Sequence, residues 1–285
     1  MLLVSCQTST SGLNDSWQTL RTVLEKDPIG THQEFMARSV IEDEASTSEA
    51  TALEWAKERY ALLVRRAQNE IPGVTRVSYE WVVMAGADLV HRYWLFGDSK
   101  QAQFTLAQLN GFRDSHPAEV QGWASEQLHW ANMEMQPAPS IPVLKLLGSA
   151  SGSQMVRNGR VQLVSFFFLG CPPCIQELPA LNDLQKRYPT ETPLVADLTT
   201  YKANSYLSSP THVTIEAALD RARRKKAPNI AMVITSDETL ARFQVSAFPV
   251  VAVIDKAGRV RYVGREIDFG QNDAVGQLIS RLLRE

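Results

Sequence analysis

Over residues 45–70, 77–96, 100–113 and 118–135 apolar side chains recur at intervals of three and four, with no strand-like runs. Turn signals at Pro72-Gly73, Gly97-Asp98 and His116-Pro117 separate the four segments. That period puts one apolar stripe on each segment and predicts a helical domain. Beyond residue 137 the pattern changes. Residues 161–169, Val-Gln-Leu-Val-Ser-Phe-Phe-Phe-Leu, are rich in β-branched and aromatic side chains and lie between Gly159 and Gly170. They are too few to span a membrane and predict a buried strand. Ile175, Leu178, Leu181 and Leu184 then recur at helical spacing until Pro189, which predicts a helix starting near residue 171. Further strands are expected at 194–198 and 230–235, with helices at 213–226 and 237–243. Residues 249–255 and 259–263 read as a hairpin turning through Lys256-Ala257-Gly258, and 273–283 as a closing helix. Alternating strands and helices that end in an antiparallel hairpin predict an α/β mixed sheet covered on both faces, preceded by an all-α domain.

These patterns partition the 285 residues into an opening tether, 1–16, a helical domain, 17–135, a proline-rich linker, 136–142, and the α/β domain, 143–285. A hydrophobic share of 44% supplies two ordinary cores. Of the six tryptophans, Trp55, Trp81, Trp94, Trp123 and Trp130 fall in the predicted helices and Trp17 precedes them; large aromatics at helical spacing are expected to make core. Residues 97–109 with their partner helix resemble one tetratricopeptide unit, short of the roughly three that a solenoid needs. Presentation of partners, dimerisation and a spacer role are all compatible with such a domain.

Charge excludes one class of partner. The basic run at residues 221–226 sits at the end of a predicted helix, just before Pro228, where cations suit the helix dipole, and the net charge of −2 offers no basic field. No nucleic-acid partner is expected. Residues 199–211, which include Asn204, two consecutive serines and Pro210, exceed an ordinary strand-to-helix connection and read as a surface insertion.

The chemistry concentrates in Cys171-Pro172-Pro173-Cys174, at the junction of the buried strand and the amphipathic helix. Cys171 is expected at the N-cap and Cys174 at the third helical position, so the two share a face and are able to open and close a disulfide without backbone rearrangement. The helix dipole and the Cys174 amide favour a thiolate on Cys171, lowering its pKa below the reference of about 8.5 and making it the attacking sulfur. Pro172 and Pro173 remove two amide donors. The lowering is therefore expected to be moderate, with the couple toward the reducing end of the range. Half of a zinc site is the rival reading, but the remaining cysteine, Cys6, and the five histidines (His32, His91, His116, His129 and His212) show no paired ligand spacing. No metal is expected.

The stretch 164–179, Val-Ser-Phe-Phe-Phe-Leu-Gly-Cys-Pro-Pro-Cys-Ile-Gln-Glu-Leu-Pro, followed by 243–259, Phe-Gln-Val-Ser-Ala-Phe-Pro-Val-Val-Ala-Val-Ile-Asp-Lys-Ala-Gly-Arg, resembles the thioredoxin-like proteins of the TlpA/ResA class, membrane-tethered extracytoplasmic thiol-disulfide oxidoreductases. The resemblance covers residues 137–285 and implies a thioredoxin-like fold. It departs at Gly170, where the family usually carries Trp, which bears on substrate preference. Carried over, it makes Phe248-Pro249 a cis-proline peptide facing the disulfide, whose backbone holds an extended client segment, with Gly170, Pro172 and Pro173 beside it. Without the resemblance Pro249 reads as an ordinary strand-start proline. Glu177, in the pattern Cys-x-x-Cys-x-x-Glu-x-Pro, is placed beneath the cysteines, where it would take the proton of Cys174; the alternative is a solvated helix glutamate. Ser165 stands where thioredoxin itself has a buried aspartate, which shifts that role toward Glu177.

The resemblance implies no bound cofactor, the Cys171/Cys174 dithiol being itself the two-electron carrier. Its expected partners are client proteins with disulfides or oxidised thiols and an upstream thiol donor embedded in the membrane. A helical binding or sensing module, peroxide reduction and copper handling are the alternatives. No stretch is long enough to cross a bilayer. Met1-Leu2-Leu3-Val4-Ser5-Cys6 looks like the tail of a lipoprotein signal, without a basic start or a full apolar run, with Cys6 as the lipidated residue and the polar residues after it as a tether. An extracytoplasmic, lipid-anchored location is expected.

Overall fold

Helical periodicity begins well before residue 45. In the computed structural model, which describes residues 10–26, 31–45, 47–70, 77–147, 159–188, 194–205, 214–265 and 274–285, two helices precede the first expected one. These are α1 (Thr10–Lys26) and α2 (Thr31–Ala45), and α3 (Glu49–Ala67), α4 (Tyr79–Phe96), α5 (Ser99–Ser115) and α6 (Gly122–Met133) follow. The chain divides into two units, Met1–Ala131 and Asn132–Glu285. Residues 10–16, expected as tether, are helical, and the reason is a single stripe: Leu13, Trp17 and Leu24 are buried and Leu20 packs against the same core. Polar residues between those positions hide the stripe from inspection.

Trp17 stacks on Trp55 with centroids 5.5 Å apart, joining α1 to α3 at the centre of the first unit. Ser48 caps α3 by accepting the Thr51 N–H, Gly97 ends α4 at φ 75°, a left-handed conformation that glycine adopts without Cβ strain, and Asp98 caps α5 by accepting the Gln101 N–H. The buried Arg59 pairs with Asp88 at 3.0 Å. Burial raises the Asp88 carboxyl, and Arg38, Arg59 and Arg92 together outweigh it, holding its pKa below the ordinary value. Trp123 departs from the core expectation: it is 60% exposed.

The second unit is a mixed sheet with flanking helices, a thioredoxin-like fold. Its strands are β1 (Lys145–Leu147), β2 (Gln162–Phe166), β3 (Leu194–Thr199), β4 (Ala231–Ile234), β5 (Val250–Ile254) and β6 (Val260–Gly264), in the order β1-β4-β3-β2-β5-β6. Strand β2 pairs parallel with β3 and antiparallel with β5. Every residue of β2, β4 and β5 is buried, as strands covered on both faces require. The helices are α7 (Pro172–Arg187), α8 (Ile215–Lys226), α9 (Asp237–Arg242) and α10 (Ala274–Arg284). Strand β1, three residues long and antiparallel to β4, was too short to leave a periodic signal. Within α8, Arg223 and Arg224 both pair with Asp220, so part of the basic run is neutralised on its own helix.

The residues expected as a linker are attached to the sheet. Met135 N–H donates to Val260 O at 2.7 Å, Val260 N–H to Gln136 O at 2.9 Å, and Ala138 N–H to Gly258 O at 2.9 Å, with a bridge between Pro137 and Arg259. The unpaired edge of β6 demands such partners, and the prolines, lacking N–H groups, sit where no donor is needed. The β5–β6 turn is built on buried Asp255, which accepts the N–H groups of Ala257 and Arg259.

Candidate functional site

Strand β2 delivers the chain to the site. After Phe166, Phe167 N–H still bonds Leu198 O at 2.9 Å, and the backbone then turns, closed by Cys171 N–H donating to Phe168 O at 3.1 Å. Cys171 is the N-cap of α7, with φ −96° and ψ 104°, and Pro172 and Pro173 open the helix. Proline suits these positions because their N–H groups have no intrahelical acceptor. Cys171 and Cys174 form a disulfide, and Cys174 N–H points at Cys171 Sγ at 3.2 Å. That hydrogen bond occupies the place of a side-chain cap, with sulfur as acceptor. Both cysteines are buried, at 5% and 1% exposure, whereas Gly170, Pro172 and Pro173 are exposed.

The second motif arrives by sheet register. Val250, the first residue of β5, lies opposite Phe166, the last residue of β2, so the residues before one and after the other emerge at the same end of the sheet. The Phe248–Pro249 peptide there is cis. Phe248 packs edge-on against Phe168, with centroids 5.3 Å apart and planes at 68°, and both rings are half-buried.

One turn beyond Cys174, Glu177 is half-buried and its Oε2 is shielded with no hydrogen-bond partner among the described residues. Burial pushes its carboxyl up to about 7, because the charged form loses hydration that no donor replaces. Ser165 lies buried within β2. Cys6 and His212 fall outside the described residues.

Two residues near the cysteines went unremarked as site residues in the sequence. Phe168 had only its place in an apolar run to mark it. Asn204 was grouped with the insertion at 199–211, yet its side chain is buried and its Oδ1 accepts Leu169 N–H at 3.0 Å. Two threonines ahead of an asparagine was the available hint, since such side chains bond neighbouring backbone. Among the described residues no group of three His, Cys, Asp or Glu side chains is arranged to hold a metal, and no helix is long and apolar enough to cross a membrane.

The sequence profile of the Redoxin family matches residues 134–278. Thioredoxin-like protein YneN of Bacillus subtilis (strain 168) is 38% identical over 63 residues, 22% of this chain and 36% of the relative. The chain thus spans about a third of that relative's length, 36%. Among solved structures, a thiol-disulfide isomerase from Corynebacterium glutamicum is 21% identical, covering 52% of this chain and 97% of its own with a TM-score of 0.41. An exposed lipoprotein thioredoxin from Streptococcus pneumoniae strain TIGR4 is 20% identical, covering 44% and 87% respectively, with a TM-score of 0.34.

Proposed function

The chain belongs to the Redoxin family, as a thioredoxin-like thiol-disulfide oxidoreductase, and on that premise we propose that it reduces disulfides in client proteins through Cys171 and Cys174. The Cys171 thiolate attacks one sulfur of a client disulfide, forming a mixed disulfide and releasing one client thiolate. Cys174, as thiolate, then attacks Cys171 Sγ, closing the internal disulfide and releasing the second client sulfur. Two electrons pass to the client. An upstream dithiol protein must return them before the next cycle.

The observation that carries this reading is the Cys174 N–H directed at Cys171 Sγ at the head of α7. A donor and a helix N-terminus at that sulfur favour its anionic form, which is the nucleophile. Glu177 takes the proton of Cys174 during resolution; its shielded, uncompensated carboxyl and its pKa near neutrality support that role. Phe248 and Pro249 seat the extended client segment, with Gly170, Pro172 and Pro173 as the exposed surface around the sulfurs. Work outside the cytoplasm, with Cys6 carrying a lipid anchor and a membrane-embedded protein donating electrons, completes the reading on the strength of residues 1–6 and the family resemblance.

Trapping tests it. The protein carrying Cys174→Ser, incubated with a peptide bearing one internal disulfide, should stall as a covalent adduct on Cys171, while Cys171→Ser should form none. A stable adduct on neither variant would sink the proposal.

A further inference from the structure

We infer that Asn204 is a positioning residue for the cysteine centre: it sets the loop that presents Cys171 and, through that loop, the stability of the Cys171 thiolate. The inference rests on the reading of Cys171 and Cys174 as the exchanging pair.

Asn204 lies in the turn after β3 and is fully buried, at 0% exposure. Its amino group is committed twice, Nδ2 donating to Thr199 Oγ1 at 2.7 Å and to Thr200 O at 3.0 Å. An amide held at its nitrogen end has its carbonyl direction fixed. That carbonyl accepts Leu169 N–H at 3.0 Å. Leu169 sits inside the turn closed by Cys171 N–H and Phe168 O, and Gly170, next in line, has no side chain with which to pack. The turn is therefore held from outside, by a side chain from the connection after β3.

Removing that acceptor strips the Leu169 N–H of its partner, and a backbone donor so orphaned pulls the turn toward another acceptor. The N-cap conformation of Cys171 and the Cys174 N–H to Cys171 Sγ contact of 3.2 Å both depend on where that turn ends. As the contact loosens, the Cys171 thiolate loses a donor, its pKa rises, and the oxidised pair is favoured.

The test uses the full chain equilibrated with glutathione and glutathione disulfide, in the balanced exchange of one protein disulfide and two glutathione thiols for the protein dithiol and one glutathione disulfide. Asn204→Ala and Asn204→Leu, which both remove the acceptor without adding charge, should each move that constant about threefold to tenfold toward the protein disulfide, the scale of one net hydrogen bond, and should raise the pKa of Cys171. The control is Val195→Ala, which opens space at a fully buried position of β3; it should lower thermal stability while leaving the constant and the pKa unchanged. If Asn204→Ala does not fold, Asn204→Leu decides alone, since it keeps nearly the same shape while removing the acceptor. Wild-type values in the folded Asn204 variants, or an equal shift in Val195→Ala, would overturn the inference. Failure of the unsubstituted protein to equilibrate with glutathione would instead sink the underlying reading, and the inference with it.

Discussion

Phe168 and Phe248 meet edge to face with ring centroids 5.3 Å apart, tying the turn before Cys171 to the cis peptide at Pro249. The pair joins the two motifs by which the site is assembled. Replacing either ring by Ala should weaken client binding, raising KM more than it lowers kcat, because the rings shape the seat and do not touch the exchanging electrons. A double-mutant cycle on stability should return a coupling of about 0.5–1.5 kcal/mol. Additivity would show the contact to be incidental.

Glu177 should make resolution pH-dependent. With its pKa near 7, the fraction able to accept a proton rises through neutrality, so the release of client from the mixed disulfide should accelerate over the same range. Glu177→Gln should slow that step on the order of a hundredfold and remove the inflection, read by stopped-flow release of a reduced peptide. An unchanged profile would assign the carboxylate no part in proton transfer.

The same group should leave a mark on folding. A carboxyl raised from 4.5 to about 7 binds more protons folded than unfolded between those values, so stability is greatest below the lower one and falls as pH rises through the upper. Denaturant midpoints of the oxidised protein should be lower at neutral pH than in mild acid, and Glu177→Gln should flatten that difference.

Pro173 occupies the second helical position, where an N–H would face the capping sulfur. Pro173→Ala supplies that donor. The Cys171 thiolate should gain stability and the couple should become less reducing by about 15–30 mV. Titration against glutathione checks the direction, and a shift the opposite way would refute the account of the two prolines.

Trp17 makes residues 10–26 part of the helical core. Trp17→Ala should cost about 3–5 kcal/mol, visible as an earlier transition of the remaining tryptophan fluorescence. A substitution tolerated without cost would return residues 10–16 to the status of a tether.

The cysteine centre was legible because its chemistry is local: strand, N-cap cysteine and helix run contiguously from Gln162 to Arg187, and each leaves its own periodic or capping signal. The hairpin was legible for the same reason. Asn204 was not, since its bond to Leu169 spans 35 positions and nothing local distinguishes a buried loop asparagine from a solvated one. Helix α1 was missed because one stripe of widely spaced apolar residues is diluted by polar neighbours. Residues 136–138 read as linker because proline suppresses strand signals, although a sheet edge accepts proline wherever no donor is required.

That attachment bears on how the redox unit is to be excised. A fragment starting at residue 143, the boundary suggested by composition, would strip Val260 of both its backbone partners and leave Gly258 O without its donor, baring β6 as a template for intermolecular strand pairing. One starting at Asn132 keeps the edge sealed, so the shorter fragment is the one expected to self-associate.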